Sequence, residues 1–386
     1  MGFDVAVVGG GLVGAALACA LRGASVALVA QERRIAAPPG DGFDSRIYAI
    51  SPGNAAFLAG LGAWGRMPAA RVTPVHAMRV YGDDGASLIE FDAYAAGVSE
   101  LAWIVEDALL QDALWQGLET QDRLALTAPA ECESLSVSGE GVRLKLRDGR
   151  SIEASLVAGA DGARSFVRAQ GGIAAEDKPY GQTAVVANFS CERPHRNAAL
   201  QWFQGGPVLA LLPLPGNHVS MVWSTPDADA ARLLALAPLE LAREVGAASR
   251  HALGALSLVT PARGLPLRRL DAARLVAPRL ALAGDAAHVV HPLAGQGANL
   301  GFQDARVLAA VLAGREPWRD AGDPRLLRRY ERSRAEAILA MRATVHGLFR
   351  LFDAKGALAA RLRNAGLNLT DRLPVIKNLL MRQAMS

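Results

Sequence analysis

The chain has 386 residues, 51% apolar and 20% charged, which suits two packed domains or one split by an insertion and excludes a disordered chain or a small stapled scaffold. Cys19, Cys132 and Cys191 are too few and too scattered for a disulfide framework or a metal site, so a reducing compartment is expected. The net charge of +4 is uneven: residues 315–386 hold 15 Lys or Arg against 7 Asp or Glu, which suggests an anionic partner such as a lipid headgroup layer or nucleic acid, or else a solvated basic helix face.

The first residues run into Phe3-Asp4-Val5-Ala6-Val7-Val8 with no basic n-region and no cleavage site, so no secretory signal is read and the cytosol is expected. Residues 5–21 carry no charge, yet they contain four glycines and stop at Arg22-Gly23, which predicts strand, turn and helix rather than a membrane span. The opening is therefore a strand over 4–8, a helix over 12–21 and a strand over 25–29, the start of a parallel βαβ sheet. Ser51-Pro52-Gly53-Asn54 predicts an N-cap with proline at the first helical position, and a further helix is expected over 106–118. Short strands with glycine turns over 124–158, including Asp148-Gly149, suit an antiparallel flap. Alternating strands around 183–189, 199–203, 208–212 and 219–223 indicate a separate β-rich layer; the parallel-sheet signature returns at Leu280-Ala281-Leu282-Ala283-Gly284-Asp285, and helical patterns follow from 300. The expected fold is α/β with an inserted β-rich layer: residues 1–75, 100–175 and 273–350 form a discontinuous Rossmann-like domain, 76–99 and 176–272 a substrate domain, and 351–386 a helical tail.

Three motifs carry the chemistry. Gly9, Gly11 and Gly14 form G-x-G-x-x-G where strand passes into helix, so the backbone can approach a pyrophosphate at a helix N-terminus. Gly159-Ala160-Asp161-Gly162-Ala163-Arg164-Ser165, closing at Arg168, follows a strand and could hold a ligand or only cap a turn. The run from Gly284 through Asp285, His288, His291, Pro292, Leu293, Gly295, Gln296, Gly297 and Ala298 to Asn299 presents a carboxylate at a strand end and then a helix start rich in small residues. A nicotinamide enzyme needs only the first motif; all three imply a cofactor with a second polar end, which is FAD.

These motifs, with Asp44-Ser45-Arg46 leading into the Ser51 helix, resemble the FAD-dependent aromatic hydroxylases of the para-hydroxybenzoate hydroxylase fold, and within them the ubiquinone-biosynthesis hydroxylases. Leu61-Gly62-Ala63-Trp64, Val105-Glu106 with Gln111, Ala113-Leu114-Trp115 and the tail from Gly366 to Lys377 extend the resemblance over nearly the whole chain. It implies that Gly9, Gly11, Val13 and Gly14 hold the pyrophosphate and that Arg46 and Gln111 reach the phosphate and adenosine side. It also implies that Asp161 serves flavin and reduced nicotinamide, that Gly284 and Asp285 bind the ribityl chain or pyrophosphate, and that Pro292 and Gly295 to Asn299 line the flavin ring. One position departs from the family, which ends its second strand with a ribose-binding Glu: Ala30 stands there, so Gln31 or Glu32 substitutes with a shifted strand end, or FAD binds more weakly.

The implied reaction passes hydride from NADH or NADPH to FAD, adds oxygen to form a flavin C4a-hydroperoxide, and hydroxylates the aromatic ring of a prenylated phenol in ubiquinone biosynthesis. No catalytic residue is assigned. His288 and His291 invite an acid/base reading, but an activated ring needs little proton transfer, so His291 and Pro292 remain only the nearest candidates. The inserted strands are expected to roof the substrate, with Trp202, Leu211 and Trp223, and also Phe203, as lining. The tail, with Leu358, Leu362, Leu373, Ile376, Leu379 and Leu380 among arginines and lysines, fits an interfacial helix on the inner face of the cytoplasmic membrane, or packing on the body or a partner. A biosynthetic complex or a homo-oligomer are the protein partners considered; nucleic acid is not expected, because the basic tail lacks a matching fold motif. The competing functions are a hydroxylase of a small soluble aromatic acid and a non-catalytic member of a ubiquinone biosynthetic complex, the latter motivated by Ala30.

Overall fold

A computed structural model describes residues 2–33, 42–84, 87–291 and 297–353, with side chains described up to 341. Four-residue and six-residue apolar runs that are buried throughout their C-terminal halves make the first sheet: β1 (Phe3–Val8) and β2 (Val26–Val29) pair in parallel around the helix α1 (Leu12–Ala20). Gly14, Ala15, Ala16 and Ala18 let α1 lie flat on the sheet, because small side chains shorten the helix-to-strand distance. β8 (Leu124–Thr127) adds in parallel outside β2, while β11 (Ser151–Gly159), β18 (Val276–Ala277) and β19 (Leu280–Leu282) complete the order β18-β19-β11-β1-β2-β8. The strand at 124–127 thus belongs to the parallel sheet and not to the expected antiparallel flap. Its physical reason is the helix α4 (Asp107–Glu119), which serves as the crossover that a parallel neighbour requires. The flap itself is β9 (Cys132–Val137), β10 (Val142–Leu146) and the first half of β11, closed by Gly149 at φ +88°.

A second sheet contains β5 (Ala77–Tyr81), β6 (Leu88–Asp92), β12 (Ala175–Cys191), β13 (Ala198–Phe203), β14 (Val208–Leu214), β15 (His218–Pro226), β16 (Leu256–Leu258), β17 (Arg263–Ala272) and β20 (His288–Val289). One face is covered by α6 (Asp227–Leu234) and α7 (Pro238–Ala248), whose Leu233, Leu241 and Val245 pack on Val185, Ala187, Phe189, Leu209, Leu211 and Met221. The opposite face turns toward the first sheet. Between them sits a small sheet of β3 (Ile47–Ile50), β4 (Thr73–Val75) and β7 (Ala102–Glu106), with the short helix α3 (Ala93–Ala96) beside β6.

α2 (Pro52–Gly60) begins with Pro52 at its first position, but Ser51 does not cap the helix backbone; its hydroxyl accepts from Asn54 Nδ2 at 2.9 Å instead. α5 (Phe166–Gln170), α8 (Gly297–Ala313) and α9 (Pro324–Asp353) complete the first layer. α9 is seated by Leu326, Leu327 and Tyr330, all buried, and the Tyr330 hydroxyl donates to the Leu282 carbonyl at 2.7 Å. The tail expected at 351–386 lies outside the described residues beyond Asp353.

Candidate functional site: a dinucleotide groove between three motifs

A groove of about 680 Å³ opens at the C-terminal ends of β1, β2 and β11, where open α/β sheets place their ligands. Gly9 adopts φ +113°, and a Cβ there would lie 2.2 Å from the Ala160 carbonyl oxygen, so only glycine lets the first and second motifs touch. A Cβ on Gly14 would meet the Gly9 carbonyl at 1.9 Å, whereas one on Gly11 would meet nothing within 4 Å: Gly11 faces open space in the groove wall. Val13 lines the groove and also wedges against the third motif, since Cβ atoms on Gly284 and Gly301 would lie 3.0 and 2.5 Å from its side chain.

Gln111 lines the groove too, but its amide donates to the Gly10 carbonyl, beside the Trp115 indole N–H at 2.9 Å. Arg46 stands over the Tyr48 ring at 5.6 Å. Its backbone N–H donates to Asp44 Oδ1 at 2.9 Å, and Asp44 Oδ2 accepts from Ala108 at the start of α4 at 3.1 Å, so the Asp44-Ser45-Arg46 turn is fixed by a helix cap. Tyr48 and Asp107 also face the groove and were not singled out by the sequence reading. Burial pushes the Asp107 carboxyl up, against the pull of Arg46.

Asp161 is mostly a brace. Its carboxylate accepts from the Ser165 hydroxyl at 2.5 Å and from the Val167 amide at 3.0 Å, and burial raises it despite those bonds. Ser165 caps α5, and Arg168 donates to the carbonyls of Ala286 at 2.8 Å and Ala163 at 2.7 Å, tying the second motif to the third. Arg164 is exposed on the groove wall.

Gly284, at φ +61°, turns the chain after β19 and leaves Asp285 on the groove wall. Asp285 is open to solvent through the groove while protein closes in elsewhere; that crowding raises its carboxyl, with His288 and Arg46 opposing. The loop is held from behind by Asp304, whose Oδ2 accepts from the Gly284 amide at 2.9 Å and sits 2.6 Å from His288 Nε2. At the start of α8, Gly297 and Ala298 reach the groove. Asn299 turns away: its Oδ1 accepts from the Ser51 amide and Asn54 Nδ2, both at 3.0 Å, and its Nδ2 donates to the Ala49 carbonyl at 2.8 Å, so it latches α8 to β3 and α2. Pro292, Gly295 and Gln296 lie outside the described residues.

Ala30 is 3% exposed and hydrogen-bonds through its backbone to Thr127 and Ala130, continuing β2 without a shift in register. Its methyl group lies under Gly10, 2.6 Å from where a Cβ there would stand. Gln31, Glu32 and Arg33 follow along the groove wall, so among the described residues the carboxylate that follows this strand end is Glu32.

His291 is buried, 3.1 Å from Gln182 Oε1 and edge-on to the Tyr180 ring at 4.8 Å. Burial pushes its imidazole down to about 4, which keeps it neutral near pH 7. The register of β12 against β17 shifts between Pro179 and Thr183, with Gly181 at φ +67°; this bulge turns Tyr180 and Gln182 toward His291.

The expected substrate lining needs correction. Trp202 stacks on Tyr81 at 5.2 Å, and Trp202, Leu211 and Trp223 belong to the core beneath α6 and α7, on the face away from the first sheet. The pleat period of two places their neighbours on the inner face: Val186, Val222 and Ala210 stand side by side in register across β12, β15 and β14, with Val222 and Ala210 only half-buried. Phe203 packs with Val80, Ile89 and Val208 in a separate cluster. Among the described residues no group of His, Cys, Asp and Glu could hold a metal ion.

A glycine loop, a capped acidic turn and a carboxylate-bearing strand end, all on one groove beneath a second β-sheet, define a dinucleotide-binding oxidoreductase of the flavoprotein type. The chain matches the FAD binding domain family over residues 2–344. It is 38% identical over 385 residues to the ubiquinone hydroxylase UbiL of Rhodospirillum rubrum, covering 99% of this chain and 89% of that one. It is 34% identical to the 3-demethoxyubiquinol 3-hydroxylase of Escherichia coli, with 99% and 98% covered. Among solved structures, PqsL, a probable FAD-dependent monooxygenase from Pseudomonas aeruginosa, superposes with TM-score 0.79 at 25% identity over 95% of this chain and 99% of that one. The p-nitrophenol 4-monooxygenase PnpA from Pseudomonas putida shares the fold with TM-score 0.79 at 19% identity, over 99% of this chain and 98% of that one. The chain belongs to the FAD-dependent hydroxylase family of ubiquinone biosynthesis.

Proposed function

We propose that this protein is an FAD-dependent monooxygenase that uses NADH or NADPH and oxygen to hydroxylate the ring of a prenylated phenol on the route to ubiquinone. The observation that carries this reading is the convergence of Gly9–Val13, Asp161 with Arg164, and Asp285 on one groove, in a chain whose relatives are named for that chemistry.

The residues present fit FAD. Glycine contacts that a Cβ would fill leave the backbone free to approach a pyrophosphate, and the open side of Gly11 meets the start of α1, where amide donors are unpaired. Asp285 would accept from ribityl hydroxyls, and Arg46 and Arg164 would face phosphate charge. The start of α8 at Gly297 and Ala298 would set a positive helix end against the electron-rich edge of the ring system. When bound, FAD takes hydride from the nicotinamide and activates oxygen, chemistry that no side chain of this protein supplies.

The protein's own part is to hold, orient and exclude water. The row Val186, Val222 and Ala210 offers an apolar floor to a substrate ring or its prenyl chain. The neutral His291, beside Gln182, contributes a polar edge without a charge that would demand hydration. We also infer a cytoplasmic location with peripheral membrane contact through the basic residues beyond 353, since the substrate class is largely hydrocarbon. No described helix is long and apolar enough to cross a membrane.

The test is absorption spectroscopy of purified protein with FAD titration, followed by turnover with a short-chain prenylphenol, reduced nicotinamide and oxygen. Flavin bands that weaken in Asp285→Ala, with a product heavier by one oxygen atom, support the reading. Turnover of water-soluble aromatic acids alone would replace the substrate, and a protein that ignores FAD would leave a non-catalytic partner of a complex. Flotation with anionic liposomes checks the membrane contact.

A further inference from the structure

We infer that Gln111 and Trp115 form a two-donor clamp on the Gly10 carbonyl that aims the Gly11 amide into the groove, making both of them positioning residues for the pyrophosphate. The inference rests on the FAD reading and concerns residues of α4, an element outside the glycine motif.

The Gly10 carbonyl oxygen accepts from the Gln111 amide and from Trp115 Nε1 at 2.9 Å, filling both of its lone pairs from one helix face. The two donors stand four residues apart and so share that face. Gln111 is 6% exposed and Trp115 is 2% exposed, so neither donor has ready access to water as an alternative partner. The carbonyl takes no part in starting α1, whose first crossing bond runs from the Ala15 amide to the Gly11 carbonyl at 2.9 Å.

A trans peptide points its C=O and the following N–H in opposite directions. Holding the Gly10 oxygen against α4 therefore turns the Gly11 N–H away from α4, on the side where Gly11 has no neighbour within 4 Å of a would-be Cβ. Without the clamp this peptide would have little steric constraint of its own, since it joins two glycines and follows Gly9 at φ +113°. The same contact explains the middle glycine of Gly9-Gly10-Gly11, because a Cβ on Gly10 would fall 2.8 Å from Trp115 Cζ2 and 2.6 Å from the Ala30 methyl. Packing and hydrogen bonding thus select one orientation of one peptide.

The experiment measures FAD, ADP and adenosine binding to the full-length protein and to Trp115→Phe and Gln111→Leu, with apoprotein melting temperature recorded for each. Trp115→Phe keeps an aromatic ring and removes the indole donor; Gln111→Leu is the second variant should the first fail to fold. Loss of one clamp bond is expected to weaken FAD and ADP about fivefold, the equivalent of roughly 1 kcal/mol, while adenosine, which has no pyrophosphate, binds as before. Equal weakening of ADP and adenosine would overturn the inference by showing general loosening of the loop. Unchanged affinities in both variants would overturn it by showing an idle clamp. A wild-type protein that binds neither FAD nor ADP would instead overturn the cofactor reading, and the clamp with it.

Discussion

Arg334 Nε donates to Asp304 Oδ1 at 2.6 Å in a site where the two side chains are 4% and 0% exposed, and Asp304 Oδ2 faces His288 Nε2 at the same distance. One carboxylate therefore holds α8, α9 and the Gly284-Asp285 loop together. Burial opposes its charge, but His288, Arg334 and the Gly284 amide together outweigh burial and keep the Asp304 carboxyl below the usual range. Asp304→Asn should destabilise the protein by about 3–5 kcal/mol, since it strands a buried guanidinium. The lowered carboxyl contributes stability that is present above its unfolded pKa of about 4 and lost as pH falls through the folded value. Urea unfolding of wild type and variant at several pH values measures both effects; a variant within 1 kcal/mol of wild type would refute the role given to this pair.

The two faces of the second sheet should respond oppositely to substitution. Leu211→Ala removes a fully buried side chain from the core beneath α6 and α7 and should cost about 2–5 kcal/mol, with KM for the prenylphenol little changed once the protein is folded. Ala210→Phe, one residue away and on the inner face, should raise that KM at least severalfold and leave FAD affinity alone. Steady-state kinetics beside thermal melts separates them. If Leu211→Ala shifts KM and Ala210→Phe does not, the assignment of faces is reversed.

Alternation reveals strands around 199–203 and 208–212, which the structure extends to Ala198–Phe203 and Val208–Leu214, but not which parity meets the helices, because α6 and α7 cover the more aromatic face. The glycine spacing of Gly9, Gly11 and Gly14 and the Gly284-Asp285 strand end were legible, since each demands a backbone shape that few residues allow. Arg334 was counted with the basic C-terminal residues as surface charge, yet it is buried. Its partner Asp304 lies 30 residues earlier on another helix, a separation that no local pattern reports. The resemblance places Gln111 on the phosphate and adenosine side, and its bond to Gly10 emerges only when α4 packs on the glycine loop. Tyr48 and Asp107 joined the groove by β3–β7 pairing, which is invisible to a window of a dozen residues.

His291 offers a pH signature of its own. Its imidazole is pushed by burial from an ordinary 6.5 down to about 4, so between these values the unfolded chain binds more protons than the folded one. Stability should therefore rise with pH across that window and fall on acidification, by up to about 3 kcal/mol at pH 4 if His291 acts alone. Gln182→Glu places a carboxylate 3.1 Å from where the imidazole nitrogen stands and should draw the midpoint back upward. Histidine NMR titration, assigned with His291→Gln, reads this directly. A wild-type midpoint near 6.5 would remove the case for a neutral polar edge in the ring site.

The strand end at Ala30 decides how the adenosine half is held. Register with Thr127 is intact through Val29, so the shift that would bring Gln31 or Glu32 into the strand position is absent, and the methyl of Ala30 is packed under Gly10. Among the described residues after this strand, the carboxylate stands on the wall, where Glu32 is exposed beside Arg33. Glu32→Gln should weaken FAD by about threefold to tenfold, as expected for one charge-assisted hydrogen bond to a ribose hydroxyl at a solvent-open site. Ala30→Glu should not recover affinity: the longer side chain must displace Gly10 or Trp115, and overpacking should cost about 1–3 kcal/mol. Flavin fluorescence quenching titrations on the two variants decide between wall and strand. Tighter FAD binding in Ala30→Glu, with Glu32→Gln unchanged, would mean that the ribose lies over the strand end and that this chain simply lacks its partner.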